Sequence, residues 1–552
     1  MVAIITEQFR LNQAKDFLDN FTDVSKNLYF FIARSRPWPT DIVNHINENS
    51  PPAPQDDVSE LYGIWDNILG LKKIDSSDTT LVIPRFNWDS TGNTIYKPYD
   101  DQDADLFNHP TQSEVSAANL GGYTAGSFFI ITDELNIFKC LNNNNGAKST
   151  VKPTLPLSSP WIVSTSDGYQ WKFMASVSPA NSNKFLSDLW VPVHTLGNVP
   201  TDGSTQWSVE QSAVDGAIDN FIINNVGSGY AYVLTGTLIG AGSNTASLPA
   251  GASSITGAYV GCQIFITGGT GFPSSPRTIT AYNGSTKIAT LDSSWSADNT
   301  TTFEIWPGVV VSGNGTGATA KLIINTSGPN VGKIKQVLVT NAGSNYTYAT
   351  ASINGGGGAG ASIRPVVSPK GGNGKDIEKE LGAFFNMYDV RLPYDDGSGD
   401  IPLYNDYRII GIVRDVLNSN STLASASTRI GVKSLNIIGE TAGIGGDFQP
   451  DELLTGVLGP NTAQAAAVEY ISSGIGTGSL RFWQDSITGY NSFLDGMVVT
   501  GSISGATGTI AVSGVVDREV LKNSGEIIYI EYKRPIVRDA GQTEIHKCII
   551  EF

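Results

Sequence analysis

The residues through which this chain could do metal or nucleophilic chemistry are few, and their spacing argues against both. His45, His109, His194 and His546 lie far apart, with no His-x-x-x-His or Cys-x-x-Cys spacing, so no zinc site is indicated. Cys140, Cys262 and Cys548 are odd in number and widely separated, which supports neither a disulfide framework nor a four-Cys zinc site. Asp101, Asp103 and Asp105 alternate like the start of a calcium loop. That pattern needs Gly at its sixth position and Glu at its twelfth, where the chain has Leu106 and Gln112, so a solvated acidic loop is expected. The segment Gly328 to Lys333 is one residue short of a phosphate-cradling loop, and Ile334 stands where a Ser or Thr would bind magnesium. Gly313, Gly315 and Gly317 lack the spacing of a dinucleotide loop; both segments read as turns. There is no G-x-S-x-G elbow. Carboxylate pairs for glycosidic cleavage meet in space rather than in sequence, so a glycan hydrolase remains a rival reading. The expectation is of no catalytic, cofactor-binding or metal-binding residue, and of no cofactor.

Composition points the same way. The chain has 552 residues, with 35 Lys and Arg against 52 Asp and Glu, a net charge of −17. Neutralising nucleic-acid phosphates needs a cationic face, so no nucleic-acid partner is expected. Only 16% of residues are charged, while 60 are Gly and 22 Phe, 20 Tyr and 10 Trp are available for cores. Disorder needs the opposite balance; tight-turned β structure fits this one. The apolar run before Glu7 is too short for a signal peptide, and no stretch reaches 18 apolar residues, so no membrane insertion is expected and a soluble protein made in a cytosol is.

The elements that must position these residues are mostly strands. Leu11, Ala14, Phe17, Leu18 and Phe21 predict an opening helix, and Asn27 to Ala33 a buried strand. A second helix is expected from Val58 to Leu71, then an irregular loop from Asn87 to Pro110, and strands at Ser127 to Thr132 and Gly168 to Val177. From about residue 215 charge thins and repeats appear. Phe221 to Tyr230 is echoed by Val337 to Tyr346, and Gly315 to Ala320 by Gly357 to Ala361. Such strand–Gly turn–strand units imply small β modules stacked on their neighbours. Asn283-Gly284 between apolar runs marks a hairpin. Leu453 to Gly459 and Val498 to Gly508 form a weaker repeat. Tyr407 to Val413 reads as a central strand, and Ile527 to Tyr532 as a strand covered on both faces.

The expected fold is mainly β: a β-sandwich-like core with a few short helices and long loops, multidomain, with Gly-rich β modules inserted. The domain map is 1–214 for the N-terminal core and 215–370 for an inserted module, with 236–306 nested inside it. Core resumes at 371–420, a second inserted module covers 421–515, and 516–552 supplies the C-terminal strands. Each insert carries its own repeats and turns, so each is expected to be dispensable for folding.

Several segments resemble the baseplate wedge subunit of T-even-type contractile-tailed phages, the gene-product-eight family. Arg34, Pro37 and Trp38 lie in an R-S-x-P-W segment; Pro84, Arg85 and Trp88 lie in V-I-P-R-x-x-W, followed by Tyr96-Lys-Pro-Tyr99. Asp167, Gly168, Tyr169 and Trp171 form D-G-Y-x-W, and Arg408 sits in Asn405 to Gly411. At the C-terminus the match comprises Gly525, Glu526, Tyr529, Arg534, Pro535, Gln542, Glu544 and the terminal Phe552. The likeness spans about residues 5 to 205, 375 to 418 and 516 to 552. It implies a non-enzymatic structural subunit of the tail baseplate, assembled in the host cytoplasm as a homodimer and contacting other wedge proteins around the hub. These motif residues are then structural or interface candidates. The rival reading is a tail-associated receptor- or glycan-binding protein that uses the β inserts.

Overall fold

The structure is a computed structural model that describes residues 4–23, 25–41, 43–107, 127–201, 204–392, 401–403, 405–539 and 541–552. His109 and Gln112 lie outside the described residues. The chain is mainly β, with several antiparallel sheets and few short helices. It divides into two compact units: Met1–Leu81 with Phe384–Phe552, and Val82–Ala383.

The first unit is built on a five-stranded antiparallel sheet, in the order Thr428–Ile430, Ile68–Lys73, Leu28–Ala33, Asp406–Arg414, Glu526–Val537. Side chains of a strand alternate between faces, and Leu28–Ala33 uses both. Leu28, Phe30 and Ile32 pack with Ile410 and Ile412 against Tyr388, Val390, Leu392 and Cys548, which belong to the paired strands Phe385–Leu392 and Glu544–Glu551. This is the sandwich. Phe17 of the helix Glu7–Asp19, and Phe21 just beyond it, pack against the same cluster. Tyr29, Phe31 and Ala33 face the other way, toward Ile64 and Trp65 of the helix Val58–Asn67.

Two sequence expectations change here. The second helix stops at Asn67 rather than Leu71, because Ile68 turns to extended geometry and Ile68–Lys73 pairs with Leu28–Ala33. Tertiary strand pairing overrides helical periodicity there. Glu526–Val537 is an edge strand, so Ile527, Ile528, Tyr529 and Ile530 are half-buried rather than enclosed, although they pack toward both faces.

Lys433–Val516 holds a closed six-stranded barrel, ordered Lys433–Thr441, Thr477–Trp483, Asn461–Gly474, Leu453–Leu458, Val498–Gly501, Thr507–Val516 and back to the first. Its interior alternates small and large side chains, Ala463, Ala465 and Ala467 beside Phe448, Phe482 and Phe493, as a narrow barrel requires. Ala466, Val468 and Trp483, however, belong to the sandwich cluster.

In the second unit, Phe129–Ile131, Asn136–Asn143, Tyr169–Ser176 and Ile162–Ser164 form one sheet in that order. The repeats appear as two antiparallel pairings. Ile218–Ser228 pairs with Ala359–Val367, and Thr319–Ile324 with Ile334–Asn341. One apolar cluster is drawn wholly from residues 238 to 305, around Tyr259, Ile264, Tyr282 and Phe303. The Asn283 hairpin is present, but with a four-residue turn; Asn283 Oδ1 accepts from the amides of Ser285 and Thr286, and Lys287 takes the left-handed conformation.

Candidate functional site

The motif residues of the first unit gather into a clamp. Arg34 adopts φ 61°, which turns the chain after Leu28–Ala33 and lays its guanidinium 4.4 Å from the Trp38 ring centroid. Burial, with Arg408 and Arg36 close by, pulls the Arg34 guanidinium below its ordinary value. Arg34 also donates to the carbonyl of Pro37 at 2.9 Å. Trp38 Nε1 donates to Lys533 O at 2.9 Å, and its ring lies 4.7 Å from Tyr532. Glu48 accepts from the Trp38 amide and, at 2.8 Å, from Arg408 Nε. Arg408 is buried, pairs with Asp406 at 2.7 Å and donates to Ser35 O.

The barrel is tied into this clamp. Trp483 Nε1 donates to Ser35 Oγ at 3.0 Å, while Arg36 lies 4.8 Å over the Trp483 ring and pairs with Asp485 at 3.0 Å. Asp451 sits alongside; burial first, then the charge of Asp406, push its carboxyl above the usual range.

The C-terminal motif residues occupy the edge of the sandwich. Gly525 takes φ 73° at the turn into Glu526–Val537, and Glu526 pairs with Arg414. Tyr529 Oη donates to Glu531 at 2.8 Å, and Arg534 Nε to Asn49 O at 3.0 Å. Pro535 lies where the register with Asp406–Arg414 breaks between Tyr407 and Ile409. Glu544 Oε2 is 3.0 Å from Tyr407 Oη and 3.1 Å from Arg538 Nη1. Gln542 is exposed.

In the second unit the motifs meet as an aromatic stack. Tyr169 and Trp171 stack at 5.4 Å and 14°, with Tyr96 edge-on to Trp171 at 5.4 Å. Tyr96 N donates to Tyr169 Oη at 3.2 Å, and Tyr169 Oη donates to Ala147 O at 2.5 Å. Trp88 Nε1 donates to Ser149 Oγ at 3.1 Å. Pro84 pairs with Trp190, and Arg85 donates to Ser187 O at 2.8 Å. Burial opposes the charge of Asp167, but bonds from Thr165, Thr150, Val151 and Tyr169 outweigh it and hold the carboxyl below its usual value. Gly168, at φ 89°, allows the turn into Tyr169–Ser176.

Three aspartates of the acidic loop are paired with cations. Asp100 and Asp101 pair with Arg364 at 2.5 and 2.7 Å, and Asp103 pairs with Lys97. Among the described residues no three His, Cys, Asp or Glu side chains converge as a metal group, and no helix is long and apolar enough to cross a membrane.

One cluster escaped the sequence reading. Lys139, fully buried, contacts Glu380 and Asn373, with its ammonium 4.6 Å from the Tyr99 ring. Lys172 donates to Pro160 O at 2.7 Å, and burial pulls its ammonium down to about 8. The signal was there: each lysine interrupts an otherwise apolar strand, at Phe138-Lys139-Cys140 and Trp171-Lys172-Phe173. A cleft of about 280 Å³, lined by Asn142, Asn143, Asn145, Asn220 and Gln336 among others, includes neither lysine.

Taken together, the motif side chains hold one segment of a mainly β chain to another. Glu544 does so beside Tyr407, whose Oη lies 2.7 Å from His546 Nε2. Residues 3–125 match the family model described as Bacteriophage T4, Gp8. Baseplate wedge protein gp8 of Enterobacteria phage T4 is 25% identical over 229 residues, covering 38% of this chain and 66% of that protein. The match thus spans just under two thirds of the relative's length. Both findings are likenesses to baseplate wedge protein gp8 over part of the chain.

Proposed function

We propose that this chain is a structural, non-enzymatic subunit of a contractile-tail baseplate wedge, present as a homodimer that contacts other wedge proteins around the hub. The observation that carries the reading is the clamp around Ser35, Trp38, Arg408 and Trp483, in which family-motif residues are used in internal hydrogen bonds and cation–aromatic contacts. A rigid joint suits a part that transmits load. The relative bears the name of a baseplate wedge protein, which supports the same place in the virion. In this reading the 215–370 and 421–515 modules decorate a wedge core, and the motif residues fix the core or its interfaces.

Electron microscopy of tails labelled on the 240–300 segment tests the reading. Six copies of a pair beneath the tube are expected, and a location at distal fibre tips would overturn it. Light scattering should give twice 58.6 kDa for the isolated protein; a monomer at micromolar concentration would remove the homodimer.

A further inference from the structure

Three loops of the barrel share one end. Glu440 N donates to Gly476 O at 2.9 Å, and Gly445 N donates to Ser504 O at 2.9 Å. Those two bonds join the 442–446 loop, the 474–476 turn and the 502–506 loop. Each carries an isoleucine between small residues: Gly443-Ile444-Gly445, Gly474-Ile475-Gly476 and Ser502-Ile503-Ser504. Their exposures are 110%, 106% and 64%. Ile438 and Ile471 continue the apolar surface on the barrel wall, at 46% and 42%.

Nothing in the fold asks for these side chains. Tight turns favour Gly, Pro, Asn, Asp and Ser, and a β-branched crest adds nothing to them. The barrel interior is filled without the three isoleucines. Exposed apolar groups clustered at one end mark an interaction surface. The barrel is held to the sandwich through Trp483 at the far end of Thr477–Trp483, roughly 20 Å along the strand from the tips. The segments 439–447, 472–478 and 500–507 contain no Lys or Arg but do contain Glu440 and Asp447. Burial, then Asp447, raises the Glu440 carboxyl above its usual value. An anionic bilayer would repel this end, whereas a cationic protein rim would complement it.

We propose that this end of the barrel is a docking surface whose three isoleucines enter an apolar pocket, rimmed by Lys or Arg, on another protein. The tail reading enters only as the place where that protein is sought.

The test uses the full chain in infected cells. A benzophenone amino acid placed at 444, 475 or 503 is activated by light, and the products are mapped by mass spectrometry. All three positions should cross-link to one protein, at one apolar site flanked by Lys or Arg. The triple variant Ile444→Ser, Ile475→Ser, Ile503→Ser should melt as the parent does yet recover that protein about tenfold less well. Glu440→Lys with Asp447→Lys should weaken recovery in the same direction. If the triple variant aggregates, Ile475→Ser alone must reduce recovery. Cross-links confined to this chain, or scattered over unrelated proteins, would overturn the proposal, as would undiminished recovery. Isoleucine-dependent binding to phosphatidylcholine or phosphatidylglycerol vesicles would overturn it in favour of lipid. Tails lacking the chain would overturn the tail reading, while the cross-link pattern would still decide the docking surface.

Discussion

The ring of Tyr346 lies against Gly315 so closely that a Cβ on that glycine would meet its Cγ at 2.4 Å. Tyr230 stands in the same relation to Gly358, also at 2.4 Å. Each repeat therefore closes by a tyrosine just beyond one strand, seated on a glycine just before the strand that pairs with it. Gly315→Ala and Gly358→Ala should each destabilise by about 1–3 kcal/mol through overpacking. In urea unfolding, Gly315→Ala combined with Tyr346→Ala should cost less than the sum of the two single changes. Strict additivity would show that the ring does not seat on the glycine.

The sequence showed these repeats but not how they meet. Similarity of Phe221 to Tyr230 with Val337 to Tyr346 reveals that a unit recurs, yet strand register depends on partners far along the chain. The pairing is nested, with Ile218–Ser228 and Ala359–Val367 enclosing Thr319–Ile324 and Ile334–Asn341. The mainly β class was legible because turn glycines and alternating apolar residues are local signals. The clamp was half legible: Arg34, Trp38 and Arg408 stood in recognisable motifs, while Trp483 belongs to the barrel and has no local mark of its role. The helix beyond Asn67 was misread because Leu69 keeps helical spacing while facing the sandwich.

Loss of a clamp tryptophan should be costly. Trp38→Ala and Trp483→Ala each empty a buried site and should destabilise by about 3–5 kcal/mol. Ser35→Ala removes the acceptor for Trp483 Nε1 and the hydroxyl that bonds the Asp451 carboxyl, and should cost about 1–3 kcal/mol by leaving a buried donor unpaired. Chemical denaturation of the three variants checks the ranking. A Ser35→Ala loss as large as that of Trp483→Ala would refute it.

Lys172 gives a pH dependence with a defined sign. Burial lowers its ammonium to about 8; Asp219 opposes the shift and Lys139 adds to it. The folded chain thus holds this proton less tightly than the unfolded chain, and unfolding takes up a proton between about pH 8 and the ordinary 10.5. Stability from this group should rise with pH across that window. Below it the penalty is fully present, at about 3 kcal/mol. Lys172→Met removes the charge, so its margin over the parent should shrink by about that amount between pH 7 and pH 10.5. A margin independent of pH, measured by urea unfolding, would show that Lys172 titrates normally.

The barrel should fold without the sandwich, but the sandwich should not fold without the barrel. Closure leaves the barrel no open strand edge, and its interior cluster lies wholly between Leu435 and Val515. A fragment of residues 431–518 should therefore be soluble and melt cooperatively. Removal of 421–514 has a different consequence. It takes away Thr428–Ile430, which forms the far edge of the five-stranded sheet, together with Ala466, Val468 and Trp483 of the sandwich cluster. It also strips Ser35 and Arg36 of their partners Trp483 and Asp485. A Gly/Ser linker replaces none of this, so dispensability, expected from the module's own repeats, should fail for this insert. Circular dichroism and size-exclusion chromatography of both products decide the matter. A soluble, cooperatively melting deletion product would mean that the sandwich cluster tolerates the loss of Trp483, and the clamp would then be an accessory contact rather than part of the core.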